Sequence, residues 1–226
     1  MLESLKQYDV ELLLSLNGSD SIFWDRVMTN VSTTVAWIPA LLFLLIAIIR
    51  NNKVKHISVI FVFLALSVLL ADQFASNLCK PYFMRFRPTH DPMIMYMVDT
   101  VDNYRGGLYG FISSHAANTF AVAIYITMLF KDFRVSFSMF VWAIITSFSR
   151  IYLGVHYPGD VVCGALAGII IGLICYSIVH YIILKMGRVS FVSSQYNRNG
   201  YRNSDMQMVV AAVNMTFVGI IIASLI

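Results

Sequence analysis

Apolar residues run through this chain in long blocks separated by short polar stretches. Blocks of roughly bilayer length fall near 31–49, 57–78, 114–130, 135–149, 160–184 and 207–226. A hydrocarbon core takes about 20 mostly apolar residues per helix, so the pattern predicts six membrane-spanning helices. The second block holds one acid, Asp72, and the last, past Gln207 at its edge, holds only Asn214 as a strongly polar group. The third and fourth are short, and Lys131-Asp132-Phe133-Arg134 between them reads as a tight hairpin. Residues 1–30 follow another rule. Leu2, Leu5, Val10, Leu13 and Leu14 recur at helical spacing among Glu3, Lys6, Asp9 and Glu11, which predicts an amphipathic helix lying at the membrane interface. The expected fold class is therefore all-α: an integral membrane six-helix bundle with an N-terminal interfacial segment, one domain over 1–226. No basic stretch precedes a short apolar core with a small-residue cleavage site, so a cleavable signal peptide is not expected.

Composition supports this reading. Of 226 residues 58% are hydrophobic and 12% charged, with net charge +4, where a soluble domain carries about 25% charge. The mean hydropathy is +0.73. Disorder and a disulfide-framed secreted module are excluded. The basic balance does not imply nucleic acid as a partner, because the cations sit between apolar runs. Cys79, Cys163 and Cys175 are odd in number and form no CxxC pair, so neither a disulfide framework nor a zinc site is expected.

Six spans would place both termini and the loops 79–113 and 150–159 on one face. The other face receives the loops 50–56, 131–134 and 185–206. Nine cations fall in those short loops: Arg50, Lys53, Lys55, Lys131, Arg134, Lys185, Arg188, Arg198 and Arg202. The seven on the first face are spread over more than twice as many residues. The positive-inside rule makes the nine-cation face cytoplasmic, in a cell inner membrane, and turns the first face to the periplasm or outside.

The unusual polar residues cluster on that first face. Lys80 through Pro88 leaves the second span, Ser113-Ser114-His115 opens the third, and Ser149-Arg150 closes the fourth. His156-Tyr157-Pro158-Gly159-Asp160 then opens the fifth. Ser113 is a natural N-cap and Pro158 suits a first helical turn. Two helix N-termini would thus open beside Lys80, Arg87 and Arg150, an anion cradle whose charge and donors match phosphate. Two histidines beside such a cradle can supply a nucleophile and a proton donor. His156 and Asp160 are four residues apart, so the carboxylate could orient the imidazole. Asp72, two turns before Lys80, could pair with a site cation or bond a neighbouring helix. Tyr152 and Tyr157 are candidates for lining the path to the site, while Asp91, Asp99 and Asp102 read as solvated.

Lys80-x6-Arg87-Pro88, Ser113-x-His115 and Ser149-Arg150-x5-His156-x3-Asp160 together resemble the three-part signature of the type 2 phosphatidic acid phosphatase (PAP2) superfamily. The likeness covers roughly 57–184. One departure is visible: the family's Pro-Ser-Gly-His is here Ile112-Ser113-Ser114-His115. The resemblance implies that His156 attacks phosphorus to form a phosphohistidine and that Asp160 holds its ring. It implies that His115 protonates the leaving alkoxide, and that Lys80, Arg87, Arg150, the Ser113 hydroxyl and the Ser114 amide hold the phosphoryl oxygens. It also implies no metal and no cofactor. The implied substrate is a membrane lipid phosphate monoester or diphosphate: undecaprenyl diphosphate, lipid A, phosphatidylglycerophosphate or phosphatidate. A phosphate transporter without hydrolysis, a lipid phosphotransferase, a silent structural protein and a haloperoxidase are the alternatives, and oligomeric state is left open. The loop 89–110, with Met93, Met95 and Met97 before Gly106-Gly107, is longer than a connector needs and is expected to cap the rim of the site.

Overall fold

The computed structural model describes residues 2–187, 194–197 and 199–226. Arg188 and Arg198 of the nine-cation face lie outside them. Among the described residues there are eight α-helices: α1 (Leu2–Leu16), α2 (Ile22–Ser32), α3 (Ile38–Asn51), α4 (Val54–Phe83), α5 (Ser114–Phe130), α6 (Phe133–Tyr152), α7 (Pro158–Lys185) and α8 (Asn203–Ala223). The all-α membrane architecture is as expected. Five segments are long and apolar enough to cross a bilayer: α3 with its leading turn (Thr34–Asn51), α4, α6, α7 and α8. The sixth, α5, is a shorter apolar helix of 17 residues.

These six alternate in direction, as the hydrogen bonds at the two ends show. At one end the loops after α3, after α5 and before α8 meet, through Asn51 Nδ2 to Asp205 Oδ2 at 2.7 Å, Asn52 Nδ2 to Tyr201 Oη at 2.9 Å and Asn197 Nδ2 to the Phe130 carbonyl at 2.7 Å. At the other end Asn30 of α2 donates to Ser224 Oγ at 3.1 Å, just past α8, which brings the two terminal regions together. Asp132 caps α6 by accepting from the Arg134 and Val135 amides, so the hairpin after α5 is the tight turn its residues suggest.

Two helices at the centre set the site. α5 and α7 pack against each other over most of the length of α5, and Gly164, Gly168 and Gly172 on α7 face its backbone. A Cβ at Gly164 would stand 2.5 Å from the Ser113 carbonyl oxygen, and one at Gly172 2.5 Å from that of Ala121. Small residues four apart let two backbones approach this closely in an apolar medium.

Two expectations are corrected here. The amphipathic run over 1–30 is two helices, broken where Gly18 takes φ +66°, a backbone conformation glycine adopts without strain. The break is held in place by Asn17 Nδ2 donating to the Tyr152 carbonyl at 2.7 Å and Gly18 N–H to the same oxygen at 3.0 Å. α4 also runs past 78 to Phe83, through a π-helical stretch Phe74–Cys79, so Lys80 is still helical. The wide turn sits just before Pro81, which has no N–H to give and whose ring crowds the preceding turn.

Candidate active site

The N-termini of α5 and α7 are stapled side by side, because the Ser113 amide donates to the Asp160 carbonyl at 3.0 Å. Ser113 caps α5 with its Oγ accepting from the Ala116 amide at 3.4 Å. The chain between α6 and α7 turns back tightly, with the amides of Val155 and His156 both donating to the Arg150 carbonyl at 3.1 and 3.2 Å. Gly154 makes that turn at φ +68°. His156 is thereby swung against the two helix ends and is 1% exposed.

Three cations converge on it. Arg87 is anchored by its Nε to the Tyr109 carbonyl at 3.2 Å and its Nη1 to the Val155 carbonyl at 3.3 Å. Arg150 donates through Nη1 to Ser32 Oγ and through Nη2 to Tyr104 Oη at 3.0 Å, and its buried Nε has no hydrogen-bond partner among the described residues. Lys80 reaches Ser114 Oγ at 2.5 Å and Ser76 Oγ at 3.3 Å. Burial first, then the charges of Arg87, Arg150 and Lys80, hold the His156 imidazole well below its usual pKa. The ring is therefore neutral, the state a nucleophile needs. His115, half-buried in the first turn of α5, lies within electrostatic reach of His156 and the same three cations. All eight residues expected from the sequence come together: Lys80, Arg87, Ser113, Ser114, His115, Arg150, His156 and Asp160.

Their connections differ from the simplest reading in three respects. Asp160 Oδ2 stands 3.5 Å from His156 Nδ1, longer than a good hydrogen bond, and that buried nitrogen has no hydrogen-bond partner among the described residues. The carboxylate is instead bonded by Arg85 Nη1 at 2.8 Å and the Tyr157 amide at 3.1 Å. Ser114, where the signature has glycine, turns its hydroxyl to Lys80 and to Ser76 at 3.0 Å. Asp72 does not touch a site cation directly but accepts from Ser76 Oγ at 3.4 Å, one step behind Lys80.

Sequence reasoning passed over Arg85 and Asp9. Arg85 bridges the two carboxylates, with Nη2 on Asp9 Oδ2 at 2.7 Å, and lies over the Tyr157 ring at 3.9 Å. Burial opposes its charge, yet Asp160 and Asp9 outweigh that and raise its pKa. Asp9 also accepts from the Gly159 amide at 2.7 Å, at the start of α7. α1 thus docks behind the site, with Leu13 fully buried among Ile94, Val98, Tyr157 and Val161. Gly110 was equally silent: a Cβ there would meet Arg87 Cγ and Asp160 Oδ2 at 3.1 Å. Tyr152 and Tyr157 are buried rather than lining an access path. Tyr152 bonds Ser19 and Asp25, and Tyr157 donates to Asp91 Oδ2 at 2.8 Å, so Asp91 is not merely solvated. Of the loop 89–110, Tyr104 bonds Arg150, while Ile94 and Val98 are buried against Leu13 of α1.

Comparison with known proteins gives the same picture. The sequence profile of the PAP2 superfamily matches residues 60–184. Lipid A 4'-phosphatase of Bacteroides thetaiotaomicron is 34% identical over 227 residues, covering 100% of this chain and 99% of that one. Lipid A 4'-phosphatase of Porphyromonas gingivalis is 32% identical over 180 residues, 80% of this chain and 76% of its own. Among solved structures, LpxE of Aquifex aeolicus superposes with a TM-score of 0.56 at 24% identity, over 74% of this chain and 94% of that one, which is a likeness of fold. The three motifs, the bundle that brings them together and these matches make this multi-pass membrane chain a member of the PAP2 superfamily.

Proposed function

We propose that this chain is an integral membrane phosphatase that hydrolyses a phosphate monoester or diphosphate of a membrane lipid through a phosphohistidine intermediate. The observation that carries the reading is the buried, neutral His156 held beside Asp160 and ringed by Lys80, Arg87 and Arg150 from three separate stretches of chain. His156 attacks phosphorus through the nitrogen turned away from Asp160, and the three cations with the α5 N-terminus stabilise the equatorial oxygens as charge builds on them. Asp160, fixed by Arg85, supports the imidazolium that develops. His115 gives its proton to the leaving oxygen and then takes one from the water that splits the phosphohistidine. Ser113 and Ser114 hold the rim of the cradle, Ser114 through Lys80.

The relatives favour one of the candidate lipids. Both curated lipid A 4'-phosphatases align across most or all of this chain, so lipid A stands ahead of undecaprenyl diphosphate, phosphatidylglycerophosphate and phosphatidate. Seven of the nine cations lie among the described residues, at the end opposite the site, which supports a cytoplasmic-membrane protein whose site faces the periplasm. Phosphate release from each of the four lipids in detergent tests the reading. Release from at least one, abolished in His156→Asn, is expected. Phosphate bound but never released would make the chain a transporter.

A further inference from the structure

We propose that Asp72 and Ser76 are positioning residues for Lys80, fixing its ammonium against Ser114 before the phosphoryl group arrives. The proposal rests on the phosphatase reading and says what readies one of its cations. Asp72, Ser76 and Lys80 stand four residues apart along α4. Four residues overshoot one α-helical turn, so such a row winds slowly round a regular helix. The π-helical stretch Phe74–Cys79 takes more residues per turn and brings the row back into line. Ser76 and Lys80 thereby both reach Ser114 at the start of α5.

The hydrogen bonds run in one direction. Ser76 Oγ donates to Asp72 Oδ1 at 3.4 Å and stands 3.0 Å from Ser114 Oγ. A hydroxyl has one proton, so with that proton on the Asp72 side the Ser114 hydroxyl donates to Ser76. Its lone pairs are then left for Lys80 Nζ, which donates to Ser114 Oγ and, at 3.3 Å, to Ser76 Oγ. Two of the three ammonium protons are so placed, and the third is left for a phosphoryl oxygen. The charges follow the same row. Arg87 and Arg150 repel Lys80, while Asp72 and Asp160 are the carboxylates within its electrostatic reach. Asp160 is bonded by Arg85, whereas Asp72 makes no ion pair among the described residues. A half-buried acid in a membrane-spanning helix is costly, and here it offsets the like charges crowded round Lys80. A lysine on its flexible stem has many rotamers, and a cation placed beforehand needs no reorganisation when charge builds on phosphorus. The glycine of the signature would leave no hydroxyl at 114 to close the row.

The test uses the full chain in detergent, with lipid A and p-nitrophenyl phosphate as substrates and orthovanadate as a mimic of the transferring phosphoryl group. Asp72→Asn and Ser76→Ala should each lower kcat/KM by about tenfold, equally on both substrates, because the cation and not the leaving group is disturbed. Each should weaken vanadate inhibition by a similar factor, with the unfolding temperature unchanged. Ser76→Thr keeps the hydroxyl and should stay within about threefold of the wild type. The double variant should fall no more than about twofold below the worse single one, because both residues act through one ammonium. Single losses that multiply to about a hundredfold, unchanged vanadate inhibition, or no recovery in Ser76→Thr would overturn the proposal while wild-type hydrolysis keeps the phosphatase reading. No phosphate release from any lipid by the wild type would remove that reading itself.

Discussion

Asp160 has two partners nearer than the histidine four residues before it: Arg85 Nη1 at 2.8 Å and the Tyr157 amide at 3.1 Å, against 3.5 Å to His156 Nδ1. A fully buried carboxylate must be compensated, and here Arg85 does that while Asp9 steadies Arg85 from the other side. Arg85→Gln leaves Asp160 without its main partner and should cost about 3 kcal/mol of stability, read as a lowered unfolding temperature in detergent. Asp9→Asn keeps the bridge sterically but removes one charge. It should lower kcat by about tenfold with KM nearly unchanged, because Arg85 then draws Asp160 further from His156. Wild-type stability and rate in both variants would mean that Asp160 is held by something else. The eight motif residues were legible in the sequence because fixed spacings carried them. Arg85 was not, since it sits between Lys80 and Arg87 with the same charge and its two carboxylates lie 76 and 75 positions away.

At the level of elements, the six apolar blocks located five membrane-length helices and the shorter α5, and the hairpin before α6 followed from its own four residues. What the pattern left open was the partner of the apolar face of α1. An amphipathic pattern states that one face is apolar, not whether lipid or protein covers it, and here the apolar face meets Ile94, Val98 and Tyr157. The end of α4 was misjudged because a polar residue inside a helix and one just past it look alike in sequence. The close contact of α5 and α7 rests on Gly164, Gly168 and Gly172, a spacing the sequence reading passed over, and it sets the two helix N-termini side by side. Gly168→Leu would drive a side chain into the Ala117 backbone. It should destabilise the fold by about 3 kcal/mol or more and lower activity by spreading the α5 and α7 N-termini. Gly219→Leu, where a Cβ meets nothing within 4 Å, is the control and should leave both unchanged. Thermal unfolding and turnover of the two variants side by side decide it.

For the whole molecule, the polar chemistry lies at one end and the densest cations at the other, and the proposed orientation rests on this asymmetry. Tyr96→Cys, at an 89% exposed position of the loop 89–110, in a background without the native thiols, should react with an impermeant thiol reagent added outside intact cells. Lys53→Cys, exposed at the opposite end, should not. The reverse pattern would turn the site to the cytoplasm. The central claim, that His156 carries the phosphoryl group, is tested most directly by rapid mixing with a lipid substrate labelled in its phosphate, followed by an alkaline quench. The wild type should show label bound to protein that survives base and is released by acid, as a phosphohistidine must be. His156→Asn should show none and turn over at least about 10³-fold more slowly. Rapid hydrolysis in the wild type with no bound label, or label retained in the His156 variant, would contradict the account.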